Sequence, residues 1–123
     1  MPDEDLKALL AEHLAPLGPV AIKRMFGGAG LFLDGLMLGL IDDGVLYLKA
    51  DDTSRSTFEA EGMAPFSYMR KGERATLTSY WRAPERLLDE PDELLAWARE
   101  AWAAARRAQS ARPPKRRRRD TKP

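Results

Sequence analysis

Apolar residues recur along this chain with two periods, which predict helices near both ends and strands between them. Leucines from Leu6 to Leu17 follow the 3.6-residue spacing of an amphipathic helix. Residues 89–108 repeat that spacing, and Pro91 suits the first turn of a helix. A shorter helix is predicted over residues 51–63. The long helices therefore bracket the central part of the chain.

Three strands are predicted between the first two helices, over residues 28–34, 36–42 and 45–51. Asp34-Gly35 and Asp43-Gly44 separate them. An Asp-Gly pair between apolar runs is a strong hairpin signal, because both central residues of a type I′ turn have positive φ. Leucines fill one face, while the other carries Phe32, Met37, Ile41 and Tyr47. Because this second face is partly apolar, we expect something to cover it.

The middle helix leads into a second predicted hairpin. Asp52 or Thr53 can cap the start of this helix, and Gly62 lies where a left-handed residue ends a helix. Residues 64–70 and 74–83 then form two strands around a Lys-Gly-Glu turn. The element order α-β-β-β-α-β-β-α predicts a two-layer α+β fold with an antiparallel five-stranded sheet.

Composition excludes several kinds of site. The chain of 123 residues has no cysteine, so disulfides and thiolate metal sites are excluded, and its one histidine, His13, excludes a multi-histidine metal site. We predict no cofactor. No apolar run reaches the ~20 residues that span a bilayer, and the acidic N-terminus does not resemble a signal peptide. A cytoplasmic protein without a membrane partner is the expectation.

Charge divides the chain into two parts. Residues 106–123 hold nine of the twenty basic residues and one acid, a net charge of +8, whereas residues 1–105 carry −7. We therefore predict a domain over residues 1–106 and a disordered basic tail over residues 107–123. The run from Lys115 to Arg119, which includes Arg116, Arg117 and Arg118, suits non-specific contact with nucleic acid. The alternative is a solvated tail that only aids solubility.

A glycine-rich stretch beside basic residues raises the question of a phosphate-binding loop. Gly28 and Gly30 fit the start of a dinucleotide fingerprint, but Leu33 occupies the position of the third glycine. A strand rather than a helix is predicted to follow, so no helix N-terminus faces a phosphate. We therefore interpret the glycines as allowing a bulge or the close approach of another backbone.

Catalysis has little support in the sequence. Paired carboxylates at positions 42–43, 51–52 and 89–90 all lie at predicted turns or helix starts, where aspartate satisfies backbone N–H groups. A single histidine leaves no nucleophile with a base partner. We predict that the protein is not an enzyme.

Aromatic and basic side chains alternate on the second predicted hairpin. Such surfaces can stack single-stranded bases, although ordinary cross-strand packing is the favoured interpretation. The set comprises Phe66, Tyr68, Tyr80 and Trp81, interleaved with Arg70, Lys71, Arg74 and Arg82.

Several short motifs occur in an order that resembles one family. They are Arg24-Met25-Phe26-Gly27-Gly28 with Gly30, then Tyr47-Leu48-Lys49, then Gly62 before Pro65-Phe66, and Tyr80 ahead of Pro84. Over about residues 5–106 the chain is similar to the N-terminal domain of the TfoX/Sxy family.

This resemblance implies an α+β fold similar to secretion chaperones and no enzymatic activity. It also implies a regulator of natural competence that acts with a cAMP-receptor-type activator. We therefore predict a transcription activator or RNA polymerase as the protein partner. Longer members carry a second domain, whereas here a basic tail follows, as expected of a stand-alone member. The alternative is a chaperone-like protein–protein interaction module without a role at DNA. Both monomer and homodimer stay open.

Overall fold

The computed structural model describes residues 2–25 and 27–111. Nine helices and strands form within these ranges, joined by short turns that include the 3-10 segments Ala15–Leu17 and Glu85–Asp89. In chain order they are α1 (Asp3–His13), β1 (Ala21–Met25), β2 (Gly28–Leu33), β3 (Leu36–Asp42), β4 (Val45–Lys49), α2 (Arg55–Ala60), β5 (Pro65–Arg70), β6 (Glu73–Arg82) and α3 (Pro91–Ala111). The predicted α+β class with an antiparallel sheet is confirmed.

The sheet has six strands, in the order β1-β2-β3-β4-β6-β5. The prediction of five strands was wrong because it omitted β1, which pairs with β2 at one edge. Within β1 only Ile22 and Met25 are partly buried. An edge strand with so few buried positions leaves no apolar run or regular alternation in the sequence.

Both Asp-Gly turns have the backbone conformation predicted for them. Asp34 and Gly35 have φ of 52° and 79°, and Asp43 and Gly44 have φ of 52° and 75°. Gly62, with φ of 74°, ends α2 as expected. Its N–H donates to the carbonyl of Glu59, and the next N–H donates to the carbonyl of Phe58, a Schellman pattern.

All three α-helices pack on one face of the sheet. Leu6 and Leu10 of α1, Phe58 of α2, and Leu94 and Ala98 of α3 belong to one buried cluster. The strand residues in this cluster are Ala29, Leu31, Leu33, Leu38, Ile41, Leu46, Leu48 and Trp81. Every helix of the described ranges therefore covers the same side of the sheet.

A β-bulge in β3 changes which residues point to each face. Leu31 pairs with Gly39, but the next residue of β2, Phe32, pairs with Met37. Leu38 is the extra residue, and it is fully buried. The bulge lets Leu38 and Ile41 both reach the core although they are three positions apart.

The ends of α2 and α3 differ from the sequence interpretation. Asp51, rather than Asp52 or Thr53, starts the turn before α2: its carboxylate accepts from the N–H groups of Thr53 and Ser54, and its own N–H donates to Ser54 Oγ. α3 extends to Ala111, three residues beyond the predicted helix end at residue 108. Among the residues that the structure describes, no helix is long and apolar enough to cross a membrane.

Candidate interaction surface

The glycine-rich stretch forms the hairpin between β1 and β2, so it does not precede a helix. Met25 pairs with Gly28 across this turn. A Cβ atom built on Gly28 would overlap the carbonyl oxygen of Ile41 on β3, whereas one on Gly27 would have nothing within 4 Å. The interpretation that glycine permits close backbone approach is thus confirmed at Gly28.

The side of the sheet opposite the helices carries an apolar and aromatic surface that we call the open face. A Cβ on Gly30 would lie 2.6 Å from Met25 Sδ, 2.7 Å from Phe32 Cε1 and 3.1 Å from Met37 Sδ. Glycine at this position therefore lets three apolar side chains converge above β2. The open face comprises Met25, Phe32, Met37, Leu40, Tyr47, Phe66, Tyr68, Leu77 and Tyr80.

Rings on the open face contact one another, both between strands and along β5. Tyr47 and Phe66 meet edge to face with centroids 4.7 Å apart. Phe66 and Tyr68 stack at 5.6 Å with their planes 20° apart. Trp81 instead lies on the helix-covered side, 6.2 Å from Phe58. The structure thus divides the predicted aromatic set between two faces and shows cross-strand packing on the open one.

Tyr80 anchors the open face at the bulge. Its hydroxyl donates to the carbonyl oxygen of Met37 at 3.1 Å, which satisfies an acceptor beside the extra residue. Only 7% of Tyr80 is exposed. Burial raises the pKa of its phenol to about 12, because the charged form is poorly solvated there. Lys49 Nζ lies 5.0 Å from the centre of the same ring.

Three exposed cations border the open face: Lys23, Arg70 and Arg82. Lys23 Nζ lies 5.2 Å from the Phe32 ring centre. Within residues 2–25 and 27–111 none of the three forms an ion pair. Lys7, Arg55, Arg86 and Arg107, by contrast, each form an ion pair.

Charge is unevenly shared between the two layers. The six strands hold six basic residues and two acids. The helix layer, which consists of α1, α2, α3 and the 3-10 segment Glu85–Asp89, holds ten acids and six basic residues. The acids of the strands are Asp42 and Glu73. The sheet layer is therefore basic and the helix layer acidic.

The remaining predicted residues have structural positions or lie outside the described ranges. Gly62 ends α2, and Pro84 immediately precedes the 3-10 segment after β6. Arg24 is exposed on β1. Lys71 and Arg74 belong to the tip of the second hairpin, where Arg74 donates to Ser67 Oγ at 2.7 Å. Phe26 and the predicted nucleic-acid contacts Lys115, Arg116, Arg117, Arg118 and Arg119 fall outside the described residues.

Sequence reasoning missed part of the surface. In the sequence, Met37 and Phe32 are recognisable only as breaking the polar alternation of the second face, and alternation places Leu40 on the leucine face. The signal was present in that two-faced apolar pattern. The bulge that places Leu40 on the open face has no recognisable signal in the sequence.

Comparison with known proteins identifies relatives of this chain. The sequence model of the TfoX N-terminal domain matches residues 12–105. DNA transformation protein TfoX1 of Aliivibrio fischeri is 33% identical over 90 residues, which cover 73% of this chain and 43% of that protein. Protein Sxy of Escherichia coli is 29% identical over 101 residues, which cover 82% of this chain and 48% of that protein. The chain thus spans about half the length of these curated relatives.

Proposed function

Because this chain belongs to the TfoX N-terminal domain family, we propose that it is a non-enzymatic, competence-related regulatory factor that acts by binding a protein partner. The name of one relative refers to DNA transformation. The observation that carries a binding role is the open face, a partly exposed apolar surface that no described helix covers. A transcription activator or RNA polymerase is the expected partner, and a cytoplasmic location stays a prediction.

Complementation tests the competence role. The full chain would be expressed in an Aliivibrio fischeri strain that lacks DNA transformation protein TfoX1, and the transformation frequency would be measured. We expect a frequency above that of the empty vector. If full-length TfoX1 restores the frequency and this chain does not, the role needs the part of TfoX1 that this chain does not match.

Capture of partners separates this proposal from a second one. A tagged full chain would be incubated with extract from the same strain, and bound proteins would be identified by mass spectrometry. A transcription activator or RNA polymerase supports the regulatory role. Recovery of only an unrelated client would instead favour a chaperone-like interaction module with no role at DNA, which the exposed apolar surface also suits.

The basic run from Lys115 to Arg119 adds a second proposed contact, with DNA. Fluorescence anisotropy of labelled duplex DNA would compare the full chain with a variant carrying glutamine at each of these positions. The logarithm of the DNA-binding constant should fall with the logarithm of the salt concentration, with a slope of about −0.9 per phosphate neutralised. The glutamine variant should lose most of the DNA affinity. Arg55→Gln with Arg99→Gln serves as the control. Equal DNA binding by all three proteins would remove the tail from the proposal.

A further inference from the structure

One row of paired residues crosses five strands of the open face and ends in a cation on each side. Lys23 of β1 pairs with Gly30, Gly30 with Leu40, Leu40 with Tyr47, and Tyr47 with Arg82 of β6. The centre of this row is apolar: Gly30 and Leu40 are buried, and Tyr47 is half-buried. Four strand spacings of about 4.8 Å place the two cations roughly 19 Å apart at the backbone.

That width suits an α-helix, whose diameter with side chains is about 10–12 Å. A helix lying over the middle of this row, against Tyr47, would have Lys23 along one flank and Arg82 along the other. The methionines beside the row, Met25 and Met37, can adapt to an irregular apolar partner. Arg70 adds a further cation beyond Tyr68 on the outermost strand, where it pairs in register with Glu73.

The rings of this face are poorly placed to stack on nucleic-acid bases. One face of Phe66 lies against Tyr68, and its neighbour Tyr47 meets it edge to face. Phe32 has Lys23 over its ring, and Tyr80 is almost fully buried. Base stacking requires ring faces that are free, so the favoured occupant is a protein.

A second copy of this chain is also a poor occupant. In a two-fold contact between open faces, the same patch meets itself, so Lys23, Arg70 and Arg82 of both copies would share one interface. Like charges in contact oppose association. Packing of the open face on the acidic helix layer would be head to tail, which does not close into a dimer.

We propose that the open face binds an acidic amphipathic helix of a partner protein, which packs its apolar side chains on the half-buried Phe32 and Tyr47 and directs its carboxylates toward Lys23, Arg70 and Arg82. This inference rests on the proposed action through a protein partner. It identifies the surface and the chemistry that the partner presents. Opposite charges at the flanks fix the orientation and speed the encounter, while the apolar centre supplies the buried area.

The test uses the full chain and three fluorescent probes. They are a designed amphipathic peptide with leucine and phenylalanine on one face and glutamate on the other, the same peptide with lysine for glutamate, and a single-stranded oligo-dT. Fluorescence anisotropy gives the affinities, and amide chemical-shift changes locate the contact. We expect the glutamate peptide to bind, with shifts at Tyr47 and Phe32, and the lysine peptide to bind about tenfold or more weakly.

Charge reversal on the two layers provides matched variants. Arg70→Glu with Arg82→Glu should weaken the glutamate peptide about tenfold or more, while Arg55→Glu with Arg99→Glu on the helix layer should change its affinity less than about twofold. Thermal melts of both variants establish that they fold. Because the basic residues from Lys115 to Arg119 also attract an acidic peptide, the glutamine variant of that run is measured in parallel.

Four results would overturn the inference. Two concern the glutamate peptide: no binding at all, or loss of its binding only in the glutamine variant of the basic run. The other two are tighter binding of oligo-dT than of the glutamate peptide at Tyr47 and Phe32, and amide chemical-shift changes at those residues that grow with protein concentration in the absence of any probe. If the Arg70 and Arg82 variant still captures the activator or polymerase, this surface is wrong while the proposed function stands. If the wild-type chain captures neither, the proposed function fails.

Discussion

At the scale of single residues, Gly28 shows how one missing Cβ positions two strands. Replacing Gly28 by alanine forces Cβ into the Ile41 carbonyl, so β2 and β3 must separate. We expect Gly28→Ala to lower the free energy of unfolding by about 1–3 kcal/mol, the usual range for overpacking. Urea denaturation provides the measurement. Gly27→Ala, which has open space, is the control and should change stability by less than about 0.5 kcal/mol.

Tyr80 gives a second residue-scale prediction, which depends on pH. Tyr80→Phe leaves the Met37 carbonyl without its donor and should cost about 1–2 kcal/mol near neutral pH. The unfolded phenol titrates near 10 and the folded one near 12, so the unfolded state loses its proton first. The wild-type protein therefore becomes less stable as pH rises from 10 towards 12, by up to about 2–3 kcal/mol.

Tyr80→Phe removes this alkaline loss, so the two proteins should approach each other in stability as pH rises. Urea denaturation of both at about pH 8 and about pH 11 tests the effect. A difference between the proteins that stays constant over this range would contradict the assigned pKa. An ultraviolet titration that follows tyrosinate formation provides an independent reading.

Some of these residue roles were predictable from sequence and others were not. The Asp-Gly turns and Gly62 were predictable because positive φ is a local requirement that glycine and aspartate meet. The hydrogen bond from Tyr80 to Met37 joins residues 43 positions apart, and no local pattern encodes it. Residues that act on their own backbone are therefore the ones that the sequence revealed.

At the scale of elements, the end of α3 is tied to the start of α2 through one ion pair. Arg107 Nε donates to Asp51 Oδ2 at 2.7 Å, and this hydrogen bond lowers the pKa of Asp51. The carboxylate also caps the turn before α2. One aspartate thus connects a cap to a distant helix.

Arg107→Gln should raise the pKa of Asp51 towards its ordinary value of 3.8. The pair is partly exposed, so we expect a loss of only about 0.5–1 kcal/mol at neutral pH. A depressed pKa stabilises the fold above 3.8, and this contribution disappears as pH falls through the lower folded value. Carbon NMR titration of the Asp51 carboxyl measures the shift. Arg99→Gln is the control, and an equal change in both variants would contradict the assignment.

The elements that the sequence failed to predict are those whose stability comes from neighbours. β1 has few buried residues of its own and is ordered by pairing with β2. The bulge at Leu38 arises from the fit between β2 and β3. The long helices were predictable because each carries its own apolar stripe, as Leu6, Leu10 and Leu94 illustrate.

At the scale of the whole molecule, the basic sheet and acidic helix layer could not be read from the chain. The sequence showed only a division along its length, between residues 1–105 and 106–123. Folding creates a second division, across the two layers, because strands and helices alternate along the chain. The candidate surface depends on this spatial division, so Lys23 and Arg82 can be placed on one face only from the strand register.

Removal of residues 112–123 should weaken DNA binding without weakening the fold. A chain ending at Ala111 keeps α3 and the Arg107 pair with Asp51, together with every other contact described above. Its net charge at neutral pH changes from +1 to −5. We expect an unchanged melting temperature, within about 2 °C, and loss of most duplex-DNA affinity.

A chain ending at Ala105 distinguishes the two effects. It lacks Arg107, so it should melt at a lower temperature as well as losing the DNA affinity. Calorimetry and anisotropy on the three lengths provide both readings. If the chain ending at Ala111 still binds DNA, the binding belongs to the folded domain. There, Lys23, Arg70 and Arg82 form the exposed basic border of the open face.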